Sequence, residues 1–181
     1  MLFADLESRL SADGELDRLD RVRELTRVEA AQVSLVDRLR SAVGQHLTVR
    51  TCLGEPVAGE VEAVASTWLL LRDGARQHVV AVAAVESVTG ALGRASAPRQ
   101  DVASRLSVGH ALRALARDRV RVVVRTRSTT VVGRVERVGS DHLDVGVGAS
   151  WDGDDAGPRG AGQHVTVVPF AALVVVSDGQ R

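Results

Sequence analysis

Eight arginines crowd one stretch of the chain: Arg113, Arg117, Arg119, Arg121, Arg125, Arg127, Arg134 and Arg137, opposed there only by Asp118 and Glu136. Guanidinium forks recognise phosphate oxygens, so a stripe of this kind suits a protein that follows a phosphate backbone. Strand alternation sets Arg119, Arg121, Arg125 and Arg127 on one face, with Val120, Val122 and Val124 on the other. On this reading the residues expected to contact nucleic acid are Arg119, Arg121, Arg125, Arg127, Arg134 and Arg137. The ordinary alternative is the polar face of a half-buried strand, with arginine paired to Glu136 across the sheet. No aromatic residue is interleaved to stack a base.

Other residues with chemical potential are less organised. Trp151-Asp152-Gly153-Asp154-Asp155-Ala156-Gly157 has the look of a calcium loop. Counted from Asp152, however, a ligand position falls on Ala156 and the closing bidentate acid on Gln163, so a plain Asp/Gly loop is expected. Trp151 reads as a partner anchor or as a residue packed over the rim of the fold. His46, His78, His110, His142 and His164 are scattered. Asp141-His142 has no nucleophile in a recognisable context, and neither GxSxG nor HExxH occurs. Cys52, the single cysteine, cannot form an internal disulfide and reads as a small core or edge residue in an early strand. These residues imply no enzyme, no cofactor and no metal.

Composition sets the frame that must position them. The chain has 181 residues, 45% hydrophobic and 25% charged, which suits a globular fold. The aromatics are Phe3, Trp68, Trp151 and Phe170, so the core must come from Val, Leu and Ala, and branched Val favours strands. Charges balance at 23 against 23, which excludes a global electrostatic pull toward nucleic acid or anionic lipid. Lys, Ile, Asn and Tyr are absent. That bias points to a GC-rich bacterial source and weakens arginine abundance as a sign of phosphate binding. The start shows no secretory pattern and no stretch has membrane-spanning character, so a cytoplasmic location is expected.

Periodicity then divides the chain. Residues 1–45 read as an N-terminal helical segment, with Leu16, Leu19, Val22, Leu25 and Val28 at three-residue spacing and Leu35, Leu39 and Val43 at four. Residues 46–90 alternate and break at Gly54, Pro56 and Gly74, which gives four or five short strands. Residues 91–118 form a Gly/Ala/Ser/Pro linker followed by a helix through Val102, Leu106, Ala111, Leu112 and Leu115. Strands resume over 119–178.

The second strand set repeats the first. Shifted by 74, Val57, Gly59, Val61, Glu62, Val64, Ser66 and Leu69 meet Val131, Gly133, Val135, Glu136, Val138, Ser140 and Leu143. Further on, Val79–Val85 faces Val167–Leu173, and the second copy carries a longer loop between, Gly146 to Gly162. Gly59 and Gly133 mark a bent strand in which the backbone comes close to its neighbour.

Val-x-Gly-x-Val-x-x-Val followed by a short aliphatic strand resembles the first half of the Sm-like motif, and Val168-Pro169-Phe170-Ala171-Ala172-Leu173 resembles its second half. The resemblance covers roughly residues 34–88 and 107–176 and overlaps with other SH3-like barrels. In this tandem arrangement the chain resembles a family from actinobacteria. It implies an α+β, mainly β protein: N-terminal helices followed by two tandem five-stranded small β-barrels, each preceded by a helix. The base-pocket residues of RNA-binding Sm-like proteins are degraded in both copies, which carry Ser66-Thr67-Trp68 and Ser140-Asp141-His142 at the first loop. The resemblance therefore implies a non-enzymatic interaction or scaffold protein, with partners or further copies held through barrel edge strands. RNA or DNA binding through the arginine stripe is the alternative, and no membrane partner is expected.

Overall fold

The valine-rich alternation is realised as ten strands, all paired antiparallel. The structure is a computed structural model and describes residues 33–93, 107–117, 121–148 and 164–179. In chain order the elements are α1 (Leu35–Arg40), β1 (His46–Thr51), β2 (Pro56–Val64), β3 (Trp68–Asp73), β4 (Arg76–Ala81) and β5 (Val85–Gly90). Then follow α2 (Val108–Arg117), β6 (Arg121–Thr126), β7 (Thr130–Val138), β8 (His142–Val147), β9 (His164–Pro169) and β10 (Leu173–Asp178). The chain divides into two units, Met1–Leu35 and Val36–Arg181, and every strand among the described residues belongs to the second. The helical expectation for residues 1–32 lies outside the described residues.

Two separate barrels, each behind its own helix, do not describe this fold. The strands form one continuous sheet in the order β5-β1-β2-β3-β4-β10-β6-β7-β8-β9, and two α-helices lie among the described residues. The physical reason is the joint between β4 and β10, where Val175, Val176 and Ser177 lie opposite Val80, Val79 and His78. Both strands carry an apolar row along an edge that would otherwise expose unpaired backbone groups. Joining them satisfies those groups and buries both rows.

The two cores interlock as a result. Ala65, Trp68 and Val79 from the first strand set are buried in the core built by Leu112, Val122, Val124, Leu143 and Val145. Val174 and Val175 from the second set are buried in the core of Leu39, Leu47, Val49, Leu69 and Leu71.

Within the sheet, each five-strand set has the same internal plan. The β2–β3 register slips between Val61 and Ala63, and the β7–β8 register slips between Val135 and Arg137. The extra residue is Glu62 in one set and Glu136 in the other, 74 positions apart as in the sequence repeat. Such a bulge bends its strand and increases its twist. Just before the bend, Gly59 and Gly133 lie against the backbone of Arg72 and Gly146, again 74 apart. Gly74, at a left-handed φ of 60°, turns the short β3–β4 hairpin, a conformation that favours glycine.

Polar groups lock the β4–β10 joint. The Gln77 backbone N–H donates to Asp178 Oδ1 at 2.8 Å, and His78 Nδ1 lies 2.8 Å from Ser177 Oγ. Burial pushes the His78 pKa below its ordinary value of 6.5, and the nearby Asp178 and Asp73 carboxylates do not restore it. The unfolded chain therefore takes up a proton at His78 more readily than the folded one. This part of the stability is present above pH 6.5 and is lost as pH falls through that value toward the lower folded pKa. The expected result is a denaturation midpoint that drops between pH 7 and pH 5, with a shallower drop in His78→Gln; identical pH profiles would contradict it.

Candidate functional site

Among the described residues the ten-stranded sheet has two outer edges, β5 and β9. The internal repeat makes them special. β4 and β9 are the fourth strands of the two sets, and β5 and β10 are the fifth strands, each pair offset by 88 residues. The joint that β4 makes with β10 inside the chain is thus a fourth strand meeting a fifth. Among the described residues, one fourth strand and one fifth strand keep a free side.

Exposure follows from this. Val79 in β4 is 5% exposed because β10 and the second core cover it. Its counterpart Val167 in β9 is 58% exposed, and Val165 beside it is 40% exposed. β9 pairs with β8 on its inner side, Val168 opposite Leu143 and Val167 opposite Asp144. Pro169 closes the strand, a residue compatible with an edge position. On the other edge, β5 pairs with β1 through Val88 opposite Val49 and Ser87 opposite Arg50. Val88 is half-buried, whereas Glu86, Ser87 and Thr89 are exposed.

The internal joint also supplies a register. Moved by 88 residues, its pairs become Ser87 with Val168, Val88 with Val167, and Thr89 with Thr166. A joint of β9 with β5 in this register would be more polar than the internal one, since Val174 and Val175 of β10 correspond to Glu86 and Ser87 of β5. The polar lock would also be replaced: His78 and Ser177 correspond to Thr166 and Thr89.

The arginine stripe is dispersed by the fold. Arg119 lies outside the described residues. Arg121 is exposed and opposite Arg134 on the neighbouring strand, so those two do share a face. Arg134 and Glu136 each interact with another group. Arg125 Nη1 donates to Glu55 Oε2 at 2.9 Å, an exposed ion pair between the two strand sets. Arg127 is exposed beyond the end of β6, and Arg137 follows the β7 bulge and lines a cleft with α2. The stripe is therefore not one continuous track.

Other sequence candidates find plain places. Cys52 is exposed in the turn after β1, not within a strand. His164 aligns with Arg76 and His78 with Thr166, so the two histidines are not structural equivalents. His142 Nδ1 sits 2.8 Å from Asp141 Oδ1, and that hydrogen bond holds the Asp141 carboxyl below its ordinary range. Among the described residues no three His, Cys, Asp or Glu side chains gather as a metal site would require. The acidic loop around Trp151 lies outside the described residues. Also among the described residues, no helix is long and apolar enough to cross a membrane.

The free edges themselves were half visible in sequence. The runs Val79–Val88 and Val167–Val176 are apolar enough in sequence for edge strands, but each run holds both a fourth and a fifth strand. The repeat itself was the missing signal: it implies two of each edge, of which one pair is consumed inside the chain. No family model and no curated protein matches the chain.

Proposed function

We propose that the chain is a non-enzymatic scaffold that associates with further copies of itself, β9 of one copy adding to β5 of the next. The observation that carries this reading is the exposure of Val167 at the position where Val79 is buried. The chain already makes this kind of joint once, between β4 and β10, and the second pair of strands is arranged to make it again. Because β9 and β5 are different surfaces, the contact is heterologous; successive copies form a ring if the rotation closes and a filament if it does not. The polar character of β5 makes the contact weaker than the internal one, so association is reversible. The helix and five-stranded bent half-sheet in each set, with the longer loop in the second sequence copy, support kinship with the Sm-like family. We place the scaffold in the cytoplasm, in keeping with its lone cysteine.

Sedimentation of the purified full chain over a wide concentration range tests this. Mass that rises with concentration at both low and high salt supports edge pairing; a monomer throughout contradicts it.

The second reading is nucleic-acid binding, favoured by Arg121 and Arg134 lying side by side on adjacent strands. It requires retention of RNA or DNA that weakens steeply as salt rises.

A further inference from the structure

Away from both edges, α2 and the bulged part of β7 enclose an open cleft of about 500 Å³ lined by His110, Arg113, Ala116, Arg117, Glu136, Arg137 and Val138. We infer that this cleft binds a small multiply charged anion of the polyphosphate class. Three arginines line it against one carboxylate, a local excess of positive charge on a chain that is neutral overall.

Two separate features of the fold bring these groups together. On α2, Leu112 is buried in the core while His110, Arg113 and Arg117 are exposed. Their spacing of three and then four residues places them along one helix face. On β7, the bulge at Glu136 interrupts the alternation that buries Val131, Gly133 and Val135. Beyond it Glu136 and Arg137 are both exposed, and both line the cleft. A bulge is a device that re-aims side chains.

The guanidinium groups keep donors to spare. Arg113 Nη2 makes one 3.4 Å contact with the Gly139 carbonyl, and Arg117 Nε makes one 3.4 Å contact with the Arg113 carbonyl. Each guanidinium has five N–H donors, and planar forks match phosphate oxygens. The volume is within the ordinary range for small-ligand sites.

The other half of the repeat acts as an internal control. Aligning Leu39 with Leu112, both fully buried, puts Asp37, Arg40 and Gly44 where the second set has His110, Arg113 and Arg117. Ala63 stands where the second set has Arg137. Arg40 there is tied to Asp37 at 3.0 Å. The same fold is therefore built with the charge neutralised or removed, so packing does not require the arginines of the cleft.

The test is calorimetric titration of the full chain with inorganic pyrophosphate and tripolyphosphate at low salt, with a single-stranded oligonucleotide as a second arm. The expected result is one saturable site per chain, tighter for tripolyphosphate. Arg137→Gln and the double variant Arg113→Gln/Arg117→Gln should each weaken it by about tenfold or more, the loss of at least one charge-assisted contact. Arg50→Gln, on an exposed arginine of the other half, should leave it unchanged. Denaturation midpoints confirm that the variants fold; should the double variant fail to fold, Arg137→Gln decides alone, because alanine already occupies the matching position of the first half. Absence of saturable heat, or equal affinity in Arg137→Gln, overturns the inference. Clearly tighter binding of the oligonucleotide also overturns it, in favour of nucleic acid. None of these outcomes depends on self-association through β5 and β9.

Discussion

Gly133→Val is expected to destabilise the protein by about 3 kcal/mol or more, beyond the usual range for overpacking because backbone is in the way. A Cβ at that position would run into the Gly146 carbonyl and lie 2.8 Å from Val145 Cγ1. The obstacle is a neighbouring strand, not a flexible side-chain end, and it cannot rotate aside. The strand would have to give up the close approach that precedes its bulge, and the core behind it would open. Gly59→Val meets the same obstacle in the first set, with the new Cβ 2.6 Å from the Arg72 carbonyl oxygen. Its effect should be large but smaller, since the approach is less tight. Val132→Thr, at the neighbouring exposed position, is the control and should stay within about 0.5 kcal/mol of the parent. Urea denaturation measures all three. A Gly133→Val midpoint equal to that of the parent would mean that the bent strand is not a requirement of the fold.

Val167→Lys is expected to remove the self-association while leaving the chain folded. Val167 is exposed in the single chain, so lysine there costs little stability. In the assembled joint it would occupy the position that Val79 holds at 5% exposure, facing the first core of the next copy. Burying a valine contributes roughly 1.5–3 kcal/mol, and a lysine in its place carries a desolvation cost as well. The dissociation constant should thus rise at least about tenfold, since 1.4 kcal/mol is one decade. Lysine on exposed edges is also how natural sheets avoid adding strands. Val132→Lys, exposed but on an interior strand, should leave the association intact. Equal sedimentation of all three proteins would rule out β9 as the contact.

Much of the local structure is written in the chain, and its limits are physical. Alternation of Val with polar residues marks the strands, because pleating puts neighbours on opposite faces. The spacing of Gly59 with Gly133 and of Glu62 with Glu136 carries the bulge and its close approach in both sets. Edge choice is another matter. Alternation specifies which face of β4 or β10 is buried, but says nothing of which strand lies beside it. Hence Val79 and Val167 look alike in sequence, and two separate barrels were expected where one sheet forms. The arginine stripe is kept only in part, with Arg121 opposite Arg134, for a related reason. Consecutive arginines appear as one track, whereas the hairpin, the ion pair to Glu55 and the β7 bulge send them in different directions. The cleft beside α2 needed both a helix face and a bulge, from two separate segments, so the residues of its wall did not stand out as one group beforehand.

Cross-linking between singly substituted chains tests the edge-to-edge joint most directly. In a Cys52→Ala background, chains carrying Val88→Cys are mixed with chains carrying Val167→Cys under mild oxidation. Opposed residues of an antiparallel pair have Cα atoms about 4.5–5.5 Å apart, within the reach of a disulfide. The expected result is a linked pair containing one chain of each kind, formed faster than with Val165→Cys in place of Val167→Cys. No mixed pair, or equal linking from Val165→Cys, would contradict the joint and its register.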